Sequence, residues 1–278
     1  MNAPTPHRPL AFIGGGNMAS AIIGGLLQAG WSAASITVVE PFESQAERLR
    51  TQFGLTVLAQ AGPPLAAAET VVWAVKPQLF GAASPPCAPY VGAALQLSVM
   101  AGIRIAALRR ASGSDRVVRA MPNTPALIGL GMTGLVASAA VGTAERAQVG
   151  QLLAPTGQLL WFDDEAQLDA VTALSGSGPA YVFYFLEAMV QAGTALGLSA
   201  EQSRRLAQQT FTGAAALAAQ SHEPLEVLRE RVTSKGGTTH AAITSMQAGG
   251  VQAALVQAVR AAAQRSRELG LEFDARPE

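Results

Sequence analysis

Several short stretches of the chain gather glycine, hydroxyl and amide residues with little charge. Such residues bind anions and small polar ligands through backbone N–H groups and neutral side chains. The first is "FIGGGNMASAIIGG", which sets Gly14, Gly16 and Ala19 in G-x-G-x-x-A register, with Asn17 and Met18 inside it. Gly14 permits a tight turn, Gly16 lets a pyrophosphate approach the backbone, and Ala19 lets the next helix lie close on a sheet. The spacing alone also suits a tight turn without ligand. Directly behind an apolar strand-like run and ahead of a helix, it points to a dinucleotide. Glu40 closes the β-branched run "ITVVE", where the second strand of such a domain reaches the adenosine ribose. An acidic side chain there accepts from both ribose hydroxyls and repels a 2′-phosphate, which leans toward NADH. The alternative is a glutamate that faces solvent or caps the following helix.

Lys76 in "WAVKP" and Asn123 with Thr124 in "MPNTP" also follow strand-like runs. They therefore fall at the carboxyl edge of the sheet, where a doubly wound fold binds its ligand. Lys76 can meet ribose or phosphate, and Asn123 can meet a nicotinamide or substrate; plain X-Pro turns with polar caps remain the alternative. "ALSGSGPAY" places Ser175, Gly176, Ser177 and Gly178 before Pro179, either a ligand-facing helix start or a glycine break with serine N-caps. In "RVTSKGGTTHAAI", Ser234, Gly236, Gly237, Thr238 and Thr239 interrupt two amphipathic patterns. Amides and hydroxyls at a helix start hold a carboxylate or phosphate, although an ordinary connecting loop has the same composition.

The elements that position these groups change character midway. "LAFIG" (10–14), "ASITVVE" (34–40), "TVVWAV" (70–75), "ALQLSVMAG", "RVVRAMP", "GMTGLVAS" and "QLLWFD" read as strands. Helical patterns separate several of them: Asn17 to Gln28, "ESQAERLRTQFG" and "RIAALRRASG". That alternation gives βαβ units and a parallel sheet. Beyond Asp163 only helical periodicity remains, with long helices expected over 180–197, 200–220 and 250–269. The last has an apolar stripe of Val251, Ala254, Leu255, Ala258, Val259 and Ala262, and Gly270 as its stop. The expected organisation is α/β: a Rossmann-type NAD(P)-binding domain over 1–162, then an all-helical domain over 163–278.

The 278 residues include 19 basic and 19 acidic side chains, so net charge gives no support to nucleic-acid binding. One cysteine and three scattered histidines supply neither a disulfide framework nor metal-ligand spacing. The N-terminus is too polar for a signal peptide, and the most apolar run, "PAYVFYFLEAMVQAG", carries Glu187 and is too short to span a membrane. A cytoplasmic protein is the expectation. Hydrophobic residues reach 49% and charged residues only 14%, which suits an alanine-rich genome, a large subunit interface, or both.

Taken together, "GGGNMASAIIGGL", "WAVKPQ", "VVRAMPNTPALIGLG", "TALSGSGPAYVF" and "PLEVLRERVTSKGGTTHAAITSMQ" resemble pyrroline-5-carboxylate reductases over nearly the whole chain. The last is the most specific, matching the family's T-S-x-G-G-x-T signature with Ala, Ile, Met and Gln at set offsets. The resemblance implies a Rossmann domain, a helical dimerisation domain, and reduction of 1-pyrroline-5-carboxylate to proline by NADPH or NADH without a metal. It implies a homodimer, assembling further in many members, often to decamers, with substrate at the dimer interface between cofactor and helical domain. By position, Ser234, Gly236, Gly237 and Thr239 hold the substrate carboxylate, Thr239 also orients the ring nitrogen, and Lys76 and Asn123 lie toward the nicotinamide. Lys235 departs from a common proline, and Glu40 from the small or basic residues of NADPH-preferring members.

A site so poor in charge suits catalysis by positioning and desolvation of an iminium that takes its proton readily from water. Two rivals remain on sequence alone. A hydroxyacid dehydrogenase of this plan brings a lysine from its long interdomain helix, and 180–197 has none; a reductase of another cyclic imine fits the same fold. A non-catalytic dinucleotide-binding scaffold has no need of the carboxylate loop.

Overall fold

A computed structural model describes residues 8–274, with the side chain of residue 274 left aside. The polar N-terminal stretch up to His7 lies outside the described residues. Two compact units emerge: one from residues through Ser177 together with those from Ala262 onward, the other Gly178–Ala261.

The first unit is built on eight strands: β1 (Leu10–Ile13), β2 (Ile36–Val39), β3 (Thr56–Leu58), β4 (Thr70–Trp73), β5 (Leu95–Ser98), β6 (Val117–Met121), β7 (Gly131–Ala137) and β8 (Gly157–Trp161). Their order is β3-β2-β1-β4-β5-β6-β7-β8. Strands β1 to β6 run parallel; β7 reverses against β6 and pairs in parallel with β8. The order turns back at β1 and β4, and a crevice opens at the carboxyl ends of strands at such a switch point.

The run "LAFI" is buried along its whole length because both faces of the sheet are covered. Leu10 and Phe12 enter one core with Ile22, Leu26 and Leu49, from α1 (Asn17–Gln28) and α2 (Glu43–Phe53). Ala11 and Ile13 enter a second core with Trp73, Cys87 and Leu108, beside α3 (Phe80–Val91) and α4 (Ile105–Ser112). Each large apolar side chain fully buried in this way contributes about 1.5–3 kcal/mol. Gln96, buried in β5, is fully engaged: its oxygen accepts from Trp73 Nε1 at 2.8 Å, and its nitrogen donates to the carbonyls of Val91 and Ala94. The buried Arg119 pairs at 2.6 Å with Glu165, whose same oxygen accepts from the Ile105 amide, tying the start of α4 to β6. Helix α5 (Thr143–Leu153) links β7 to β8.

Three features differ from the sequence expectations. β3 is a three-residue edge strand, too short to show an alternation. Helix α3 contains Pro85, Pro86 and Pro89, which argue against a helix locally but are tolerated where the sheet supports the segment. Finally, α11 (Val251–Asp274) passes through Gly270 instead of ending there. Gly270 is packed tightly; a Cβ on it would lie 3.3 Å from the Arg104 guanidinium.

The second unit holds α7 (Gly178–Ala195), α8 (Ala200–Gln220), α9 (Leu225–Arg231), α10 (Thr238–Ala248) and the first half of α11. Ser199 and Gln202 form a reciprocal capping box that starts α8. Helices α7 and α8 meet closely at Gly193, where a Cβ would come within 2.5 Å of Ser203 Oγ. Ser203 and Ala207 are buried there, while Phe183, Tyr184, Leu196, Leu206 and Leu217 remain exposed, Tyr184 by 72%. Among the described residues, most of the exposed large apolar side chains lie in this unit, as an association surface requires. Among the described residues no helix is long and apolar enough to cross a membrane.

Candidate active site

The cofactor candidates converge at the carboxyl ends of β1, β2 and β4. After β1 the chain turns at Gly14, whose φ of +94° favours glycine; a Cβ would sit 2.9 Å from the carbonyl carbon and oxygen of Ala74. The Gly14 amide donates to Val39 O at 2.9 Å, which ties the turn to β2. The Gly15 amide donates to Glu40 Oε2 at 2.9 Å, and the Gly15 carbonyl accepts from Gln45 Nε2 at 2.5 Å. Gly16 is the exposed N-cap of α1, and the space where a Cβ would stand is empty. Beyond it, the amides of Asn17, Met18 and Ala19 make no hydrogen bond among the described residues, as expected of a first helical turn. Met18 packs on the core, while Asn17 is exposed.

These groups border a cleft of about 620 Å³ lined in part by Gly14, Gly16, Glu40, Phe42, Ala74 and Lys76. Lys76 is exposed at the end of the β4 segment. Cys87 also borders the cleft; burial pushes its thiol up to about 11, which keeps it protonated and unreactive at neutral pH. Sequence reasoning missed Phe42, an exposed ring at the start of α2 beside Glu40, and the Ala59–Ala61 segment after β3. An exposed phenylalanine two residues beyond an acidic strand end was the available signal. Open amides, a carboxylate and a narrow apolar floor together fit a dinucleotide.

Asn123 is placed differently from a simple ligand contact. Its amide nitrogen donates to Ser175 O at 3.1 Å, and its oxygen accepts from the Met132 amide at 2.9 Å. It thus braces the end of β6 against β7 and against a π-helical turn, Thr172–Gly176, that follows α6 (Gln167–Val171). Ser175 Oγ donates to the carbonyl of Val171, the last residue of α6. One amide proton of Asn123 stays available to a ligand. π-turns inside helices concentrate at functional positions.

The substrate candidates form the connection between α9 and α10. Thr233 Oγ1 donates to Arg229 O at 2.6 Å and closes α9. The Gly237 amide donates to Ser234 O at 3.0 Å, with Gly236 at φ +75° inside the turn. A Cβ on Gly237 would lie 2.6 Å from Ser234 Oγ, an exposed hydroxyl that would have to rotate aside. Gly237 caps α10 without a side-chain bond, and the amides of Thr238, Thr239 and His240 have no partner among the described residues. The half-buried Thr239 hydroxyl and the exposed Ser234 and Lys235 side chains likewise make no hydrogen bond among them. Three open amides and a free hydroxyl in one helical turn suit a carboxylate.

A glycine turn at the switch point of a doubly wound sheet, followed by a helical region with a second turn of open amides, is the plan of a two-part nicotinamide-dependent oxidoreductase. Residues 165–269 match the family described as pyrroline-5-carboxylate reductase dimerisation, and 9–102 match NADP oxidoreductase coenzyme F420-dependent. A pyrroline-5-carboxylate reductase of Pseudomonas aeruginosa is 49% identical over 263 residues, covering 94% of this chain and 96% of that protein. The solved pyrroline-5-carboxylate reductase of Coxiella burnetii superposes with a TM-score of 0.87 at 32% identity, covering 94% of this chain and 98% of its own. The Plasmodium falciparum pyrroline carboxylate reductase, solved with NADP bound, gives 0.86 at 28% identity over 96% and 99% of the two chains. The chain belongs to the pyrroline-5-carboxylate reductase family. It is an oxidoreductase, and the matched dimerisation region carries exposed apolar helix faces that support association with a further copy.

Proposed function

We infer that this chain reduces 1-pyrroline-5-carboxylate to L-proline, the last step of proline biosynthesis, with NADPH or NADH. The observation that carries the reading is the α9–α10 turn: three open amides and an unpaired Thr239 hydroxyl, shaped by Gly236 and Gly237. That turn also matches the family signature residue by residue, within a chain 49% identical to a reductase of this name.

The division of labour follows from the two regions. Residues 1–162 hold the cofactor through Gly14, Gly16, Asn17, Met18, Glu40, Lys76 and Asn123, and 163–278 dimerise and bind substrate. Ser234, Gly236, Gly237 and Thr239 grip the carboxylate through amides and hydroxyls, each charge-assisted hydrogen bond being stronger than a neutral one. The assembly is a dimer at least, and a higher oligomer such as a decamer extends it. A bound reduced nicotinamide supplies the hydride for the imine carbon. The protein contributes orientation and a dry site: Thr239 holds the ring nitrogen in place, and water supplies the proton that makes the carbon electrophilic. No buried acid is required.

The test is cofactor oxidation with 1-pyrroline-5-carboxylate, with proline identified as the product. Substrate-dependent oxidation with stoichiometric proline is expected. Cofactor binding without turnover would leave only a dinucleotide-binding protein.

A further inference from the structure

We propose that this chain takes its reductant as NADH, and that Glu40 is the residue that turns NADPH away. This rests on the dinucleotide reading of the cleft beside Gly14 and specifies which adenosine that cleft accepts.

The end of the second strand of a doubly wound sheet lies by the adenosine ribose. Here that position is a carboxylate that is only 7% exposed yet borders the cleft. It is held from both sides: Oε2 accepts from the Gly15 amide at 2.9 Å, and Oε1 from the Phe42 amide at 3.0 Å. A solvent-facing glutamate could swing aside for a phosphate. Moving Glu40 breaks two bonds and strands two backbone donors, one in the glycine turn itself. Each oxygen keeps a further lone pair, so the carboxylate can still accept from the two ribose hydroxyls.

Among the described residues, no free cation beside Glu40 offsets a second negative group. Besides Gln45, the donor side chain lining that side of the cleft is the neutral Gln60 amide. Pro41 and Phe42 bring no donor side chain to the cleft. Gln45 spends its amide nitrogen on Gly15 O. Arg50 is paired with Glu43 and Glu47. Arg48 bonds Gln45 and borders a separate hollow with Ser20 and Gln52. Among the described residues, the one cation lining the cleft is Lys76, which follows β4 and not β2. A 2′-phosphate would therefore meet a fixed carboxylate in a partly desolvated cleft, where like charges repel more strongly than in water.

The experiment is equilibrium binding to the full-length protein, read by fluorescence transfer from protein to reduced nicotinamide, with NADH and NADPH. Calorimetric titration with ADP and 2′,5′-ADP isolates the adenosine end. NADH is expected to bind at least about 10-fold more tightly than NADPH, and ADP more tightly than 2′,5′-ADP. Glu40→Ser should close or reverse the gap, chiefly by tightening NADPH. If that variant does not fold, Glu40→Gln keeps the length, removes the charge and carries the same comparison. Equal or tighter NADPH binding by the wild type, or an unchanged ratio in the variant, overturns the proposal. If neither dinucleotide nor ADP binds, the dinucleotide reading itself falls, and this proposal with it.

Discussion

Helices α1 and α10 begin alike: each has a glycine N-cap with extended backbone, no side-chain cap, and a positive-φ glycine shortly before it, Gly14 two residues ahead of Gly16 and Gly236 next to Gly237. Their supports differ. The α1 turn is fixed from outside itself, by Val39, Glu40 and Gln45 and by the Ala74 backbone against Gly14. The α10 turn is held by its own local bonds, and no atom lies within 4 Å of where a Gly236 Cβ would stand. The first suits the rigid platform that the proposed long cofactor needs. The second suits an adaptable grip for the proposed small carboxylate, with most of its donors still open.

The contrast can be broken at several positions. Gly14→Ala combines a disfavoured φ with overlap against Ala74, together about 3 kcal/mol. Cofactor Kd should rise roughly 100-fold, with a lower Tm in thermal unfolding. Thr239→Ala removes one orienting hydrogen bond, so kcat should fall about 10- to 30-fold while Tm and cofactor Kd stay unchanged. Gly236→Ala strains the backbone without a clash; KM for the imine should rise about 10-fold, with cofactor binding untouched. A comparable loss of cofactor affinity in Gly236→Ala would erase the distinction between the two turns.

The smallest effect concerns the floor of the cofactor cleft. The Cys87 thiol is raised from 9.0 to about 11 by burial. The folded state therefore keeps a proton that the unfolded chain loses, and stability should decline as pH rises from 9 toward 11. Cys87→Ala should flatten that decline in alkaline melting curves; an identical decline would show that Cys87 does not cause it.

Most of the sheet was legible because its strands are short apolar runs, and β2, β4 and β6 are rich in β-branched residues. Gly14, Gly16 and the α10 turn were legible because glycine spacing encodes turns directly. Less visible were features set by distant partners. The bonds from Gly15 to Glu40 and from Asn123 to Ser175 join residues 25 and 52 positions apart, so no local pattern announces them. The same holds for α3, which is absent from the sequence expectations: three prolines are unfavourable in a helix, and packing against the sheet overrides that preference. Phe183 and Tyr184 fall in the helix expected over 180–197, but periodicity does not say which helix face is covered, and both are exposed in the single chain.

The central claim is that the α9–α10 turn recognises the substrate by its carboxylate. Its most direct test compares kcat/KM for 1-pyrroline-5-carboxylate and for 1-pyrroline, which lacks that group, in the wild type and in Gly236→Ala. The wild type should favour the carboxylate by about 100-fold or more, since a site built around a charged group rejects the analogue without it. Gly236→Ala should lower that ratio by weakening the first substrate alone. Equal use of both imines by the wild type, or an unchanged ratio in the variant, would contradict the account.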